Sequence, residues 1–245
     1  MNPAIAWATC VRVLRQLRRD HRTVALVLVV PTVLVTLVWW MFLDAPATFD
    51  RIGVPLLGIF PLVSMFLVTS ITMLRERTSG TLERLMTTPL ARLDLLLGYA
   101  GAFGLMAAVQ GSLVSGVAVG ALGLDVEGSV VLVVALAVAN ALLGMALGLF
   151  VSAFAATEFQ AVQFMPALIL PQLLLCGLFI PRPEMARPLE LISSVLPMSY
   201  AYDALQHVAH SGTLDGGLAR DAGVVLGAAL LALALGAATM RRRTA

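Results

Sequence analysis

Six stretches of this chain run free of charged side chains for at least the thickness of a bilayer, and that pattern leaves few folds open to it. They are Val24–Leu43, Ile52–Leu74, Leu95–Leu124, Gly128–Thr157, Phe159–Pro181 and Ala222–Met240. A spanning helix needs about 20 mostly apolar residues at about 1.5 Å rise each. The spans are therefore placed at about 24–43, 52–74, 95–122, 129–154, 160–180 and 222–240. The third and fourth runs exceed what a bilayer requires, so their ends should protrude or tilt. The fifth carries Pro166 and Pro171 and is expected to kink. Composition agrees: 60% of residues are apolar, 12% are charged and the mean hydropathy is +0.94, whereas a soluble domain carries about 25% charged residues. A water-facing surface cannot be assembled from such a chain.

Orientation follows from the arginines, which supply every basic residue other than histidine. With the N-terminus inside, Arg12, Arg15, Arg18, Arg19, Arg22, Arg75, Arg77, Arg84, Arg92 and Arg241 to Arg243 are cytoplasmic, and Arg51, Arg182, Arg187 and Arg220 are outside. Twelve against four over short loops is a positive-inside bias, and both termini are expected to be cytoplasmic. The chain divides into a segment 1–23, a six-helix transmembrane domain 24–240 and a basic tail 241–245. In the first segment Trp7, Cys10, Val11, Leu14 and Leu17 recur at helical spacing, with Arg12, Arg15, Arg19 and Arg22 on another face. This is the pattern of a helix lying in the inner headgroup layer. Small residues recur inside the spans at Gly116–Gly120, Gly144–Gly148 and Gly223–Gly227, and at Gly98, Gly101, Gly104 and Gly111. They suit close helix packing in lipid and indicate a compact bundle, not a function.

The chemistry available is sparse. No spanning run holds an ionisable residue at its centre, which argues against a proton-coupled antiporter, an ion pump or a voltage-gated channel. Gln110, Asn140, Gln160, Gln163 and Gln172 can hydrogen-bond between helices or line a path. His207 and His210 lie one turn apart after Asp203, with no further ligand near enough in sequence to complete a metal site. Cys10 and Cys176 are far apart and support no disulfide framework. No catalytic residue is assigned. A P-loop needs a lysine to reach the nucleotide phosphates, and this chain has none. If transport here is active, ATP and Mg belong to a partner.

The most charged segment is Arg75–Arg92, between the second and third spans. Ser79 or Gly80 can cap a short helix, Glu83 suits its first turn, and Leu82, Leu85 and Met86 share a face. Thr88-Pro89 then ends it and begins the third span. The result is a short amphipathic helix tied to a spanning helix at each end, so a partner gripping it moves both.

The run Glu76-x-x-x-Gly80-Thr81-Leu82-Glu83-x-Leu85, followed by Thr88-Pro89, resembles the loop signature of the type-2 ABC exporter permeases. Among them it is most similar to the drug-exporting, daunorubicin-resistance-type branch. A second block, Gly177-x-Phe179-Ile180-Pro181 and then Leu196-Pro197-Met198-Ser199-Tyr200-x-Tyr202-Asp203, is similar to the same family. The resemblance implies an all-α integral membrane fold of six transmembrane helices, with an N-terminal interfacial elbow, a cytoplasmic coupling helix and a short outer re-entrant hairpin over 181–206. It further implies a dimer of permeases, here expected to be a homodimer, above two ABC ATPase subunits in the cell membrane. The coupling helix would use Glu76, Gly80, Thr81, Leu82, Glu83 and Arg84, and the outer motif Gly177, Pro181, Pro197 and Tyr200. The uncharged walls suit a drug or lipid-like amphiphile, with Thr32, Thr36, Ser64, Thr69, Gln163 and Gln172 as candidate lining. The alternatives are a permease for a polysaccharide or glycolipid, and a membrane scaffold without transport; no nucleic-acid partner is expected.

Overall fold

The computed structural model describes residues 3–79, 92–211 and 215–239, and within the described residues it contains helices and no strand. Helix α1 is Pro3–Arg19, α2 His21–Met41, α3 Pro46–Thr78, α4 Arg92–Gly120, α5 Val130–Val151 and α6 Glu158–Leu175. A 3-10 turn at Arg182–Glu184 leads to the short α7 (Arg187–Ser193), then α8 (Pro197–His210) and α9 (Gly216–Thr239). Six of these, α2 to α6 and α9, are long and apolar enough to cross a membrane. The expected all-helical, six-span architecture is what the chain adopts.

Helix ends follow local chemistry. Asp20 caps α2 by accepting from the Thr23 amide at 3.1 Å and the Thr23 hydroxyl at 2.6 Å, which satisfies a first-turn donor. Those bonds hold the Asp20 carboxyl below the ordinary carboxylate range. Pro46 opens α3 at its first turn, where a missing N–H leaves nothing unpaired. The helix thereby begins inside the stretch that charge alone marks as an outer loop. At the other extreme α6 stops at Leu175, short of Pro181, and Gly177 takes φ +110. That backbone is open to glycine and strained for other residues.

Helix α3 lies at the centre. It packs most extensively on α5 and also touches α2, α4, α6 and α8. Two glycines permit the α3–α5 crossing: a side chain on Gly144 would collide with the Leu62 carbonyl, and one on Gly148 with the Thr69 hydroxyl and the Phe66 carbonyl. Where lipid is as apolar as the helices, close van der Waals contact takes the place of hydrophobic drive. Gly111 does the same between α4 and α5, where a Cβ would lie 3.0 Å from the Val138 amide nitrogen. By contrast Gly116, Gly120, Gly223 and Gly227 face open space.

Prolines inside spans create a second kind of joint. A proline cannot donate to the carbonyl four residues back. Pro31 leaves the Val27 carbonyl free, and Gln110 of α4 donates to it at 2.7 Å. Pro55 leaves the Arg51 carbonyl free, and Gln206 of α8 donates to it at 3.0 Å. At Pro31 and Pro55 the vacancy in one helix ladder is filled by an amide from another helix.

Helix α1 lies against α4. Its buried residues are Thr9, Cys10, Val13 and Leu17, whereas Trp7 is 68% exposed. The helix carries two apolar stripes. Cys10, Val13 and Leu17 face the bundle, where Gly98 lets Thr9 and Ala6 approach α4 closely. Trp7 stands on the outer stripe.

Candidate functional site at the root of the α3–α4 connection

The segment with the richest sequence signal leaves α3 after Ser79 and enters α4 at Arg92. Gly80, Thr81, Leu82, Glu83 and Arg84 lie outside the described residues, and so does Thr88-Pro89. Its roots are described, and they carry a concentration of polar links between helices.

Glu76, on the last turn of α3, is buried and turned inward. Its Oε1 accepts from Arg12 Nη1 at 3.3 Å and from Gln16 Nε2 at 3.1 Å, both on α1. The Arg12 Nη2 in turn donates to the Tyr99 hydroxyl of α4 at 2.5 Å, and the guanidinium lies 5.4 Å from that ring's centre. Burial works against the Arg12 guanidinium, but Tyr99 and Glu76 outweigh it and hold its pKa above the ordinary arginine value. Three helices thus meet on one carboxylate and one guanidinium. Such a pair removed from water stabilises only when its remaining hydrogen-bonding capacity is used; Gln16 and Tyr99 use part of it, while Glu76 Oε2 is buried without a hydrogen-bond partner among the described residues.

One residue earlier, Arg75 grips Glu158 at the start of α6 through two parallel bonds of 2.7 and 2.9 Å, the fork geometry that makes an arginine–carboxylate pair directional. One residue later, Arg77 donates to the Ser152 carbonyl at the end of α5. The last turn of α3 is therefore fastened to α1, α4, α5 and α6 within three consecutive residues. A displacement of the segment that follows reaches four helices through these bonds.

The opposite end of the bundle holds the second block of the sequence reading. Gly177 packs against Tyr202, whose ring a Cβ there would approach to 3.0 Å. Pro181 precedes the 3-10 turn and Pro197 begins α8. The Tyr200 hydroxyl donates to the Ser194 carbonyl at 2.6 Å, with the Arg182 and Arg220 guanidinium groups 5.7 and 6.0 Å from its ring. Arg182 also pairs with Asp203. Ser193 fastens the turn, donating to the Leu175 carbonyl at 2.8 Å and lying 3.0 Å from the Ser199 hydroxyl. Met198 clusters with Leu62 of mid-α3, and Val208 with Phe49 near its start, so α8 runs along the first half of α3. A cleft of about 540 Å³ opens among Gly177, Arg182, Arg187, Glu190, Tyr202 and Asp203.

The proposed lining residues lie on α2, α3 and α6 and are occupied differently. Thr32 and Thr36 are half-buried and donate to the Leu28 and Thr32 carbonyls one turn back. Thr69 is fully buried, donating at 2.7 Å to the Met65 carbonyl of its own helix and at 3.2 Å to the Met145 carbonyl of α5. Gln172 is buried and donates to the Leu168 carbonyl. Ser64 is half-buried and Gln163 is exposed. Sequence reasoning missed Arg12, Gln16 and Tyr99 as partners of Glu76, since the contacts join residues up to 87 positions apart. A trace was present in Arg12 sitting beside apolar Cys10, Val11 and Val13.

Residues 6–209 match the family described as ABC-2 type transporter. Over 145 residues, 59% of the chain, it is 25% identical to ABC transporter G family member 20 of Dictyostelium discoideum, covering 20% of that protein. Over 153 residues, 62% of the chain, it is 26% identical to the probable multidrug ABC transporter permease YbhR of Escherichia coli strain K12, covering 42% of it. The chain thus aligns with less than half the length of either relative. With six helices of spanning length and a family match over most of its residues, the chain is a multi-pass membrane protein that belongs to the ABC-2 type transporter family.

Proposed function

We propose that this chain is the membrane-spanning permease subunit of an ABC exporter, moving a hydrophobic or amphiphilic compound such as a drug or lipid-like molecule out of the cytoplasm or inner leaflet. ATP hydrolysis takes place in a separate subunit, two copies of which bind beneath a permease dimer in the cell membrane. Both termini face the cytoplasm, α1 is the interfacial elbow, and α7 with α8 forms a re-entrant hairpin on the outer side.

The observation that carries this reading is the fastening of the last turn of α3. Arg75, Glu76 and Arg77 link α3 to four other helices immediately before the segment whose sequence resembles a coupling helix. A push delivered to Gly80, Thr81, Leu82, Glu83 and Arg84 is then shared by the bundle instead of bending α3 alone. In this scheme Glu76 is the internal anchor of the lever, and Glu83 and Arg84 meet the ATPase. The name of the YbhR relative supports a multidrug substrate class. The spans agree with it, since an amphiphile entering from lipid meets no charged side chain at the centre of a span.

Charge reversal at the lever tests the scheme. Glu83→Arg is expected to uncouple the ATPase or prevent its assembly while the permease still inserts. Purified mutant complex that hydrolyses ATP with unchanged substrate stimulation would refute the coupling role.

A further inference from the structure

The exposed side of α1 and the start of α2 carry cations that no described residue pairs with. Arg15, Arg18, Arg19 and Arg22 are exposed, and none of their guanidinium groups has an ion pair or hydrogen bond among the described residues. Among the described residues, the nearby Asp20 accepts from Thr23, and Glu76 Oε1 accepts from Arg12 and Gln16. Arg12, Arg15 and Arg19 stand at spacings of three and four residues on one helix, where like charges repel. The helix dipole accounts for Arg18 and Arg19 at the C-terminal turn. It does not account for Arg15, which stands a full turn earlier.

Beside these arginines lies a cleft of about 480 Å³, with Trp7 and Val11 on its apolar side and Arg12, Arg15, Gln16 and Arg19 on its polar side. Its position fixes what it meets. Helix α1 ends at Arg19, and the spanning helix α2 starts at His21, so Arg19 and Arg22 stand at the mouth of a membrane span. An exposed indole beside apolar and basic side chains is the composition of a headgroup-level contact. A nucleotide or an acidic protein surface would match the charge but leave Trp7 and Val11 in water.

We propose that the outer face of α1 is a binding site for the phosphate-bearing headgroup of an anionic bilayer lipid. Arg15 and Arg19 hold the phosphate, while Trp7 and Val11 cover the glycerol and upper acyl region. Arg12 belongs to the Glu76 anchor, so an occupied cleft lies directly against the bond that fastens α1 to α3. The site rests on the membrane-spanning fold and not on the transport reading, and it stands or falls without any ATPase.

The test places the full chain in nanodiscs of phosphatidylcholine containing a fraction of phosphatidylglycerol, and compares immobilisation of spin-labelled forms of the two lipids. The wild type is expected to prefer phosphatidylglycerol, and each of Arg15→Ala and Arg19→Ala to lower that preference roughly fivefold, the effect of one basic residue near an anionic surface. The double Arg15→Lys, Arg19→Lys variant keeps the charge and is expected to keep most of the preference. In a Trp39→Phe, Trp40→Phe background, Trp7 fluorescence should be quenched more by brominated phosphatidylglycerol than by brominated phosphatidylcholine, which reads the site even if an alanine variant fails to insert. Equal immobilisation of both lipids by the wild type would overturn the proposal. So would a preference untouched by the alanine variants, or protection of Arg15 and Arg19 from phenylglyoxal by an added ATPase subunit but not by phosphatidylglycerol.

Discussion

Helices α3 and α2 are both strongly apolar and both of spanning length, yet they inhabit different surroundings. In α3, 67% of the most apolar stretch is buried within the chain, and in α5 56%; in α2 and in α6 the share is 17%. Apolarity decides that a segment crosses the membrane, because lipid accepts any apolar face. It does not decide which helix becomes the centre. Small residues at the crossing do that: Gly144 and Gly148 let α5 reach the α3 backbone, and α2 has no glycine at all. The inner pair is specified by shape. The outer helices keep broad faces such as Leu26, Val30, Val33 and Leu37 of α2 open to lipid or to a second copy.

That contrast can be broken by substitution. The largest effect is expected from Gly144→Leu or Gly148→Leu, where the new side chain meets backbone oxygen and exceeds the ordinary overpacking cost of about 1–3 kcal/mol. The folded monodisperse species should be lost on size-exclusion chromatography in detergent. Gly116→Leu and Gly227→Leu, which face open space, should change stability by less than about 0.5 kcal/mol. An inverse ranking would show that shape does not choose the centre.

Next comes the anchor. Arg12→Ala strips the buried Glu76 carboxylate of its charge partner, and removing one partner of a buried hydrogen bond costs about 1–3 kcal/mol, more for charged groups. Because Arg12 is itself 30% exposed, water relieves part of the loss, and the lower half of that range is expected in thermal unfolding. Gln110→Leu should cost about 1–2 kcal/mol by orphaning the Val27 carbonyl. Adding Pro31→Ala restores the missing N–H and should recover most of it, so the double mutant should be more stable than Gln110→Leu alone. Simple additivity would mean that Pro31 and Gln110 are not coupled through that carbonyl. The smallest effect belongs to Arg75→Ala. Its pair with Glu158 is more than half exposed on both sides, which limits it to about 1 kcal/mol or less, and the remainder should vanish in high salt.

What the sequence discloses follows the same division. The six spans are legible because lipid imposes one demand, a long stretch without charge, and Val24–Leu43 or Ile52–Leu74 meets it visibly. Helix ends are less legible. The start of α3 at Pro46 and the stop of α6 at Leu175 depend on a proline's first-turn preference and on Gly177 at φ +110, and neither leaves a mark in the pattern of charge-free runs. Glycine spacing is readable, but its use is not. Gly144–Gly148 and Gly116–Gly120 carry the same pattern, and only the first is a crossing. The anchor was half legible. Glu76 was marked by its place in the loop signature, whereas Arg12 and Tyr99 reach it from other helices. Helix α1 presents two apolar stripes, and helical spacing does not say that Cys10, Val13 and Leu17 face protein while Trp7 does not.

The bond from Gln206 to the Arg51 carbonyl has a mechanical consequence. Pro55 has already withdrawn that oxygen from the ladder of α3, so letting it go unwinds nothing, and water at the end of the bundle can replace the amide. Helix α8 is joined to α3 at this point as a door is to its post, by a polar bond that can open without loosening the post, while Met198 and Val208 hold it by apolar contact. Amides of α8 should accordingly exchange with solvent before those of mid-α3, whereas simultaneous exchange would mean that door and post are one piece.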